Sequence, residues 1–162
     1  MKKVFFLVTT MVFLASCSLT KENKEYRHAI DGKWIVDNVT YEGPEGKFNI
    51  NAFGEGKPEC FIGSTWSLNQ NNSSGTYTLP GGADCNSGTK VINWSVYQPA
   101  SGLSYFQYKV IGGGDKAKNV VSGYRMGVDM VSANEMQLRS SNKIEGENEN
   151  YDIIYHFKRN NP

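Results

Sequence analysis

Few side chains in this 162-residue sequence are equipped for covalent or acid–base chemistry: the cysteines Cys17, Cys60 and Cys85, and the histidines His28 and His156. A serine nucleophile needs a base within hydrogen-bond reach. His156 alternates onto the polar side of its segment and His28 lies in the charged amino-terminal stretch, so neither is placed for that role. Gly63-Ser64-Thr65-Trp66 lacks the second glycine and the strand-to-helix turn of a nucleophile elbow. Gly112-Gly113-Gly114 runs into Asp115-Lys116 without the spacing of a phosphate-cradling loop, and reads as a long hairpin loop. Glu145, Glu147 and Glu149 surround Gly146 as a solvated turn, and no inward position is acidic, whereas a paired-carboxylate hydrolase needs two. Neither histidine stands at ligand spacing from a cysteine. The expectation is a protein that is not an enzyme and uses no metal or cofactor.

Cys17 has a different chemistry in view. Lys2 and Lys3 precede an apolar run from Val4 to Leu14, the layout of a secretory signal and too short for the roughly 20 residues of a membrane span. Leu14-Ala15-Ser16-Cys17 resembles a bacterial lipobox. Small Ala15 and Ser16 admit a peptidase, and the Cys17 thiolate is the nucleophile for lipidation. Residues 1–16 are thus expected to be a lipoprotein signal peptide, 17–31 a lipidated N-terminus and tether, and 32–162 a single domain. Two or three acyl chains on one cysteine anchor a protein firmly where one chain does not, which makes the membrane the expected partner. Ser18 after the cysteine resembles outer-membrane lipoproteins, so the expected location is the cell envelope at the outer membrane, facing the periplasm or the surface. Ser18 to Asp31 reads as a polar tether reaching ~20 Å as a flexible coil.

Export also bears on the other two cysteines. In an oxidising compartment an even pair, Cys60 and Cys85, is expected to form a disulfide. Closing a loop of about 26 residues is worth about 3.5 kcal/mol in the chain-entropy account.

The elements that must position any site are legible from composition and period. Loss of Lys2 and Lys3 with the leader turns the formal charge of +1 into −1, and no basic patch is visible, which argues against nucleic acid as a partner. All 17 Gly and all five Pro follow Cys17, and sixteen Asn add to a turn-rich composition. Candidate strands are 33–41, 46–53, 60–69, 74–80, 89–98, 103–111, 122–131, 135–143 and 151–158; the only helical candidates are single turns at His28–Ile30 and Lys116–Val121. Period-two alternation puts Ile92, Trp94 and Val96 on one side, likewise Phe106, Tyr108 and Val110, then Tyr124, Met126, Val128 and Met130, then Ile153, Tyr155 and Phe157. Hairpin-linked strands with one apolar face each suggest an all-β, antiparallel up-and-down barrel of eight or nine strands, or a sandwich; closure removes exposed edges.

Asp31-Gly32-Lys33-Trp34, opening the first strand after a short helix-prone stretch, resembles the Gly-x-Trp start of lipocalins. Most of 32–158 is similar to the lipocalin-like lipoproteins of diderm bacteria, notably Cys60–Trp66, Ser74–Tyr77, Val91–Trp94, Lys116–Lys118, Gly123–Met126, Asn134–Leu138 and Tyr151–Phe157. The resemblance implies an antiparallel barrel of about eight strands with an open end. It also implies an arginine packed across the first-strand Trp34, for which Arg139 and Arg159 both qualify.

Trp34, Trp66, Trp94, Tyr108, Tyr124, Met126 and Met130 are the candidate ligand-binding residues. An eight-stranded barrel is just wide enough to be filled by side chains or to hold one small ligand. Either these residues fill the core, or they line an apolar pocket in which tyrosine hydroxyls orient a small hydrophobic ligand, with no inward charge to penalise it. The alternative is a non-enzymatic envelope interaction module with a filled barrel: an accessory subunit or inhibitor using loops 81–88 and 112–119, or a glycan binder using outward Tyr97 and Tyr105.

Overall fold

The computed structural model describes residues 20–46 and 48–160; Cys17 and the leader lie outside the described residues. Eight strands form in chain order: β1 (Gly32–Glu42), β2 (Thr65–Asn69), β3 (Ser74–Gly82), β4 (Cys85–Tyr97), β5 (Tyr105–Ile111), β6 (Tyr124–Val131), β7 (Glu135–Lys143) and β8 (Asn150–Arg159). Each pairs antiparallel with the next, and β8 returns to β1, so the sheet is a closed up-and-down barrel. The alternation read from the sequence is the cause. In β2 the burial runs exposed, buried, exposed, buried, exposed, with Trp66 and Leu68 inward. Closure then gives every strand two neighbours and leaves no open edge. The inner layer is tight enough that a Cβ on Gly75 would lie 2.7 Å from the Ser67 carbonyl oxygen and 2.9 Å from Leu68.

Of the nine expected strands, 46–53 does not form. The described part of that stretch is irregular and ends in a 3-10 turn at Ala52–Gly54, where Phe53 takes a left-handed backbone (φ 53°) that no strand accommodates. The expected strand start at 60 is also displaced. A second 3-10 turn, Pro58–Phe61, opens on a proline preset for that geometry, and β2 starts only at Thr65.

The amino-terminal stretch is more ordered than a tether. Helix α1 (Lys21–Ile30) begins four residues after Cys17, capped by Thr20, whose hydroxyl accepts from the Asn23 backbone N–H at 3.2 Å. Glu22 in the first turn and Arg27 and His28 in the last suit the helix dipole. Ten residues are marginal alone, and docking supplies the rest. Buried Asn23 donates to the Val96 carbonyl at 2.7 Å, Arg27 to the Gln70 carbonyl at 2.5 Å, and Ile30 is fully buried.

Two bulges interrupt the alternation, at Asp37 in β1 and Asp129 in β6. The second corrects one expectation. Beyond Asp129 the parity of β6 reverses, so Val131 pairs with inward Met136 while Met130 pairs with outward Gln137. Met130 joins the outer surface and lines no interior.

Candidate functional site

The α1 end of the barrel is sealed. Trp34 is fully buried and donates its indole N–H to the Ile30 carbonyl at 2.8 Å. Arg159, not Arg139, covers it. Its guanidinium lies 3.8 Å from the ring centroid and donates to the carbonyls of Asp31, Ala29 and Ala133. Burial pulls its pKa below the usual arginine range, but the neighbouring carbonyls and Asp31 keep a charged donor in place. Arg139 is on the outer wall, bonded to Asp129, Glu42 and Asp152. Trp94 belongs to the sealed end too, donating to the Ser74 carbonyl at 2.8 Å with Arg27 over its ring.

The opposite end is covered by the connection between β1 and β2. Phe53, half-buried there, packs over the fully buried Phe61. Its ring centroid lies 5.3 Å from Tyr124, 5.5 Å from Phe61, 5.6 Å from Tyr155 and 5.9 Å from Tyr108. Phe61 and Tyr108 in turn pack on Trp66 at 6.4 and 5.7 Å. Such pairs are each worth about 0.5–1.5 kcal/mol beyond their burial, but none is directional in the way a hydrogen bond is. Phe53 also lines a surface cleft of about 290 Å³ with Tyr124, Ser140, Asn142 and Ile153, so its ring is the partition between solvent and core. An aromatic residue in left-handed backbone stores about 1–3 kcal/mol of strain.

The base of this plug is fastened firmly. Cys60 and Cys85 form the expected disulfide, with Cα atoms 5.4 Å apart. Gly56 bridges to Cys85 and holds φ +126°, and a Cβ there would lie 3.0 Å from both the Cys60 sulfur and the Asp84 carbonyl oxygen. Between them Glu55 is buried, which corrects the expectation of an interior without acids. Its carboxylate accepts from the Tyr77 hydroxyl at 2.7 Å and from the Asn86 amide at 2.9 Å, with Lys90 at 3.8 Å. Burial, then the bond to Glu55, pushes the Tyr77 phenol far above its ordinary pKa.

Beneath Phe53 two hydroxyls are left over. Tyr108 and Tyr155 are each 1% exposed, and neither hydroxyl has a hydrogen-bond partner among the described residues. Burial keeps both phenols protonated far into the alkaline range. A buried hydroxyl without a partner costs about 1–3 kcal/mol, a cost a guest with one polar group would remove.

Of the seven candidate residues, the fold gathers Trp66, Tyr108 and Tyr124 at the plug and buries Met126 in the middle of the barrel. It places Trp34 and Trp94 at the sealed end and Met130 outside. Phe53, Glu55, Phe61, Tyr77 and Tyr155 complete the site. The available signal for the first two was Phe53-Gly54-Glu55-Gly56, two glycines framing an acid, which is poor strand sequence. Trp34, Trp94, Tyr108 and Met126 are at most 1% exposed, so the interior is occupied by its own side chains.

The geometry defines a class: an eight-stranded barrel welded at one end and plugged at the other by a disulfide-fastened loop. Set against protein-family models, curated proteins and solved structures, the chain finds no match in any of the three.

Proposed function

We propose that this chain is a lipid-anchored, lipocalin-like protein of the cell envelope that admits one slender amphiphile into its barrel in place of Phe53. The observation that carries the reading is the plug itself: a strained aromatic packed on four rings, above two buried hydroxyls that have no partner among the described residues. An alkyl chain can replace the ring among Phe61, Tyr108, Tyr124 and Tyr155, and a hydroxyl or carboxyl head can satisfy the hydroxyls of Tyr108 and Tyr155. With Cys17 four residues before α1, and α1 on the sealed end, anchoring at Cys17 turns the plugged end away from the membrane.

Titration with decanol and decanoic acid, read by tryptophan fluorescence, tests the binding half. The wild type pays for displacing the plug, so Phe53→Ala should bind at least tenfold tighter. The absence of a saturable shift in both proteins refutes it. Met126 is fully packed, so enlarging it would disturb the fold, and Phe53 is the position to vary. The anchoring half predicts that Cys17→Ser abolishes acyl labelling and detergent-phase partitioning; persistence of both refutes it.

A second reading keeps the plug permanently closed and makes the filled barrel a scaffold for contacts on its outside. The near-complete burial of the inner tryptophans favours it, and it is the reading left standing by a failed titration.

A further inference from the structure

The outer wall of β4–β6 differs from the rest of the barrel surface. The register sets its outward side chains in rows: Tyr97 opposite Tyr105, Ser95 opposite Gln107 and then Arg125, and Asn93 opposite Lys109. β5 pairs with β6 only from Tyr105 to Tyr108, and beyond that point the wall opens into a cleft of about 460 Å³ floored by these polar residues and edged by Val121 and Gly123.

The cleft carries two cations. Lys109 donates to the Val120 carbonyl at 2.7 Å, and Arg125 donates to the Gln107 amide oxygen at 3.0 Å. Among the described residues neither cation pairs with a carboxylate. On the β7–β8 wall, by comparison, Arg139 pairs with three carboxylates and Lys158 with Asp37. Arg125 also stacks over both Tyr97 and Tyr105, 5.0 and 5.4 Å from their centroids, and the two rings lie 6.3 Å apart in stacked orientation. Tyr97 is 43% exposed, so this platform meets solvent.

Flat aromatic faces take the C–H surface of a pyranose, amides and hydroxyls bond its hydroxyls, and a guanidinium pairs with a planar carboxylate. The three coincide on this wall. We propose that the β4–β6 cleft binds a carboxylated sugar unit, with the acid between Arg125 and Lys109 and the ring extending toward Tyr97 and Tyr105. The site lies on the outside of the barrel and does not depend on the plug.

The test is calorimetric titration of the folded protein with a hexasaccharide of alternating glucuronate and N-acetylglucosamine, and with neutral chitohexaose. The acidic sugar should bind saturably, at least tenfold tighter than the neutral one, and more weakly as salt is raised. Arg125→Gln should weaken it at least tenfold, Arg125→Lys should recover part of the loss, and Tyr97→Ala should weaken both sugars, each with an unchanged urea midpoint. Arg139→Gln, on the paired wall, should leave binding unchanged. No saturable binding, equal affinity for the two sugars, or indifference to Arg125→Gln overturns the proposal.

Discussion

At one end of the barrel Arg159 lies flat on Trp34 and donates to three backbone carbonyls; at the other, Phe53 leans on four aromatic rings and its side chain donates to nothing. The first closure is made of charge-assisted, directional bonds between the last strand, the helix and the β6–β7 turn, so no part of it shifts without breaking several at once. The second divides the labour. The disulfide, Gly56 and Glu55 fix the base of the loop, while the ring that seals the core is held by contacts tolerant of sliding. An end built this way can open locally while the barrel stays closed.

The contrast is broken most severely at the sealed end. Arg159→Ala should cost about 3–4 kcal/mol, since it removes bonds from three carbonyls and the cation over Trp34. Arg139→Ala, half-buried among three carboxylates on the outer wall, should cost less, about 1–2 kcal/mol. Urea unfolding distinguishes them, and equal costs would mean that Arg159 does not hold the end shut. Replacing Cys60 and Cys85 together by serine should cost about 2–4 kcal/mol. Hydrogen exchange should then quicken first in 48–61 and not in α1; uniform quickening would show that the staple serves the whole barrel rather than the plug.

Smaller effects come from the tyrosines. The phenols of Tyr77, Tyr108 and Tyr155 are raised by burial above their ordinary value of 10.0. Unfolded chains therefore lose protons above pH ~10 that the native barrel keeps, so stability is full below pH ~10 and falls above it, by up to about 1.4 kcal/mol per pH unit for each phenol. Tyr155→Phe should flatten that alkaline slope by about one proton. At neutral pH it should stabilise the protein by about 1 kcal/mol, because it deletes a hydroxyl without a partner. Destabilisation instead would mean that the hydroxyl is satisfied in the free protein.

Most of the barrel was readable because alternation is a local signal: Trp66, Tyr77, Ile92, Tyr108 and Phe157 all face inward as their strands require. The cysteine pair was readable because Cys60 and Cys85 are an even pair with no histidine at ligand spacing to suggest a metal instead. The features that escaped are set by distant partners. Phe53 is a plug only because four rings, from β5, β6, β8 and the second 3-10 turn, receive it, and Glu55 is buried only because Tyr77 and Asn86 reach it from β3 and β4. Met130 shares its strand's pattern until one inserted residue, Asp129, turns it outward to where Arg139 binds the aspartate. Helix α1 has few apolar residues, Tyr26, Ala29 and Ile30, to mark its period, and forms where Val96 and Gln70 bond its side chains.

The central claim is that the two ends differ in mobility and that a guest uses the difference. It is tested most directly by nuclear Overhauser contacts in protein labelled at phenylalanine, tyrosine, tryptophan and arginine side chains, recorded free and saturated with decanol. Cross-peaks from Phe53 to Tyr155 and Tyr124 should disappear and be replaced by peaks from the alkyl chain to the same rings, while those between Trp34 and Arg159 persist. Saturation that leaves the Phe53 contacts intact, or that disturbs both ends together, contradicts it.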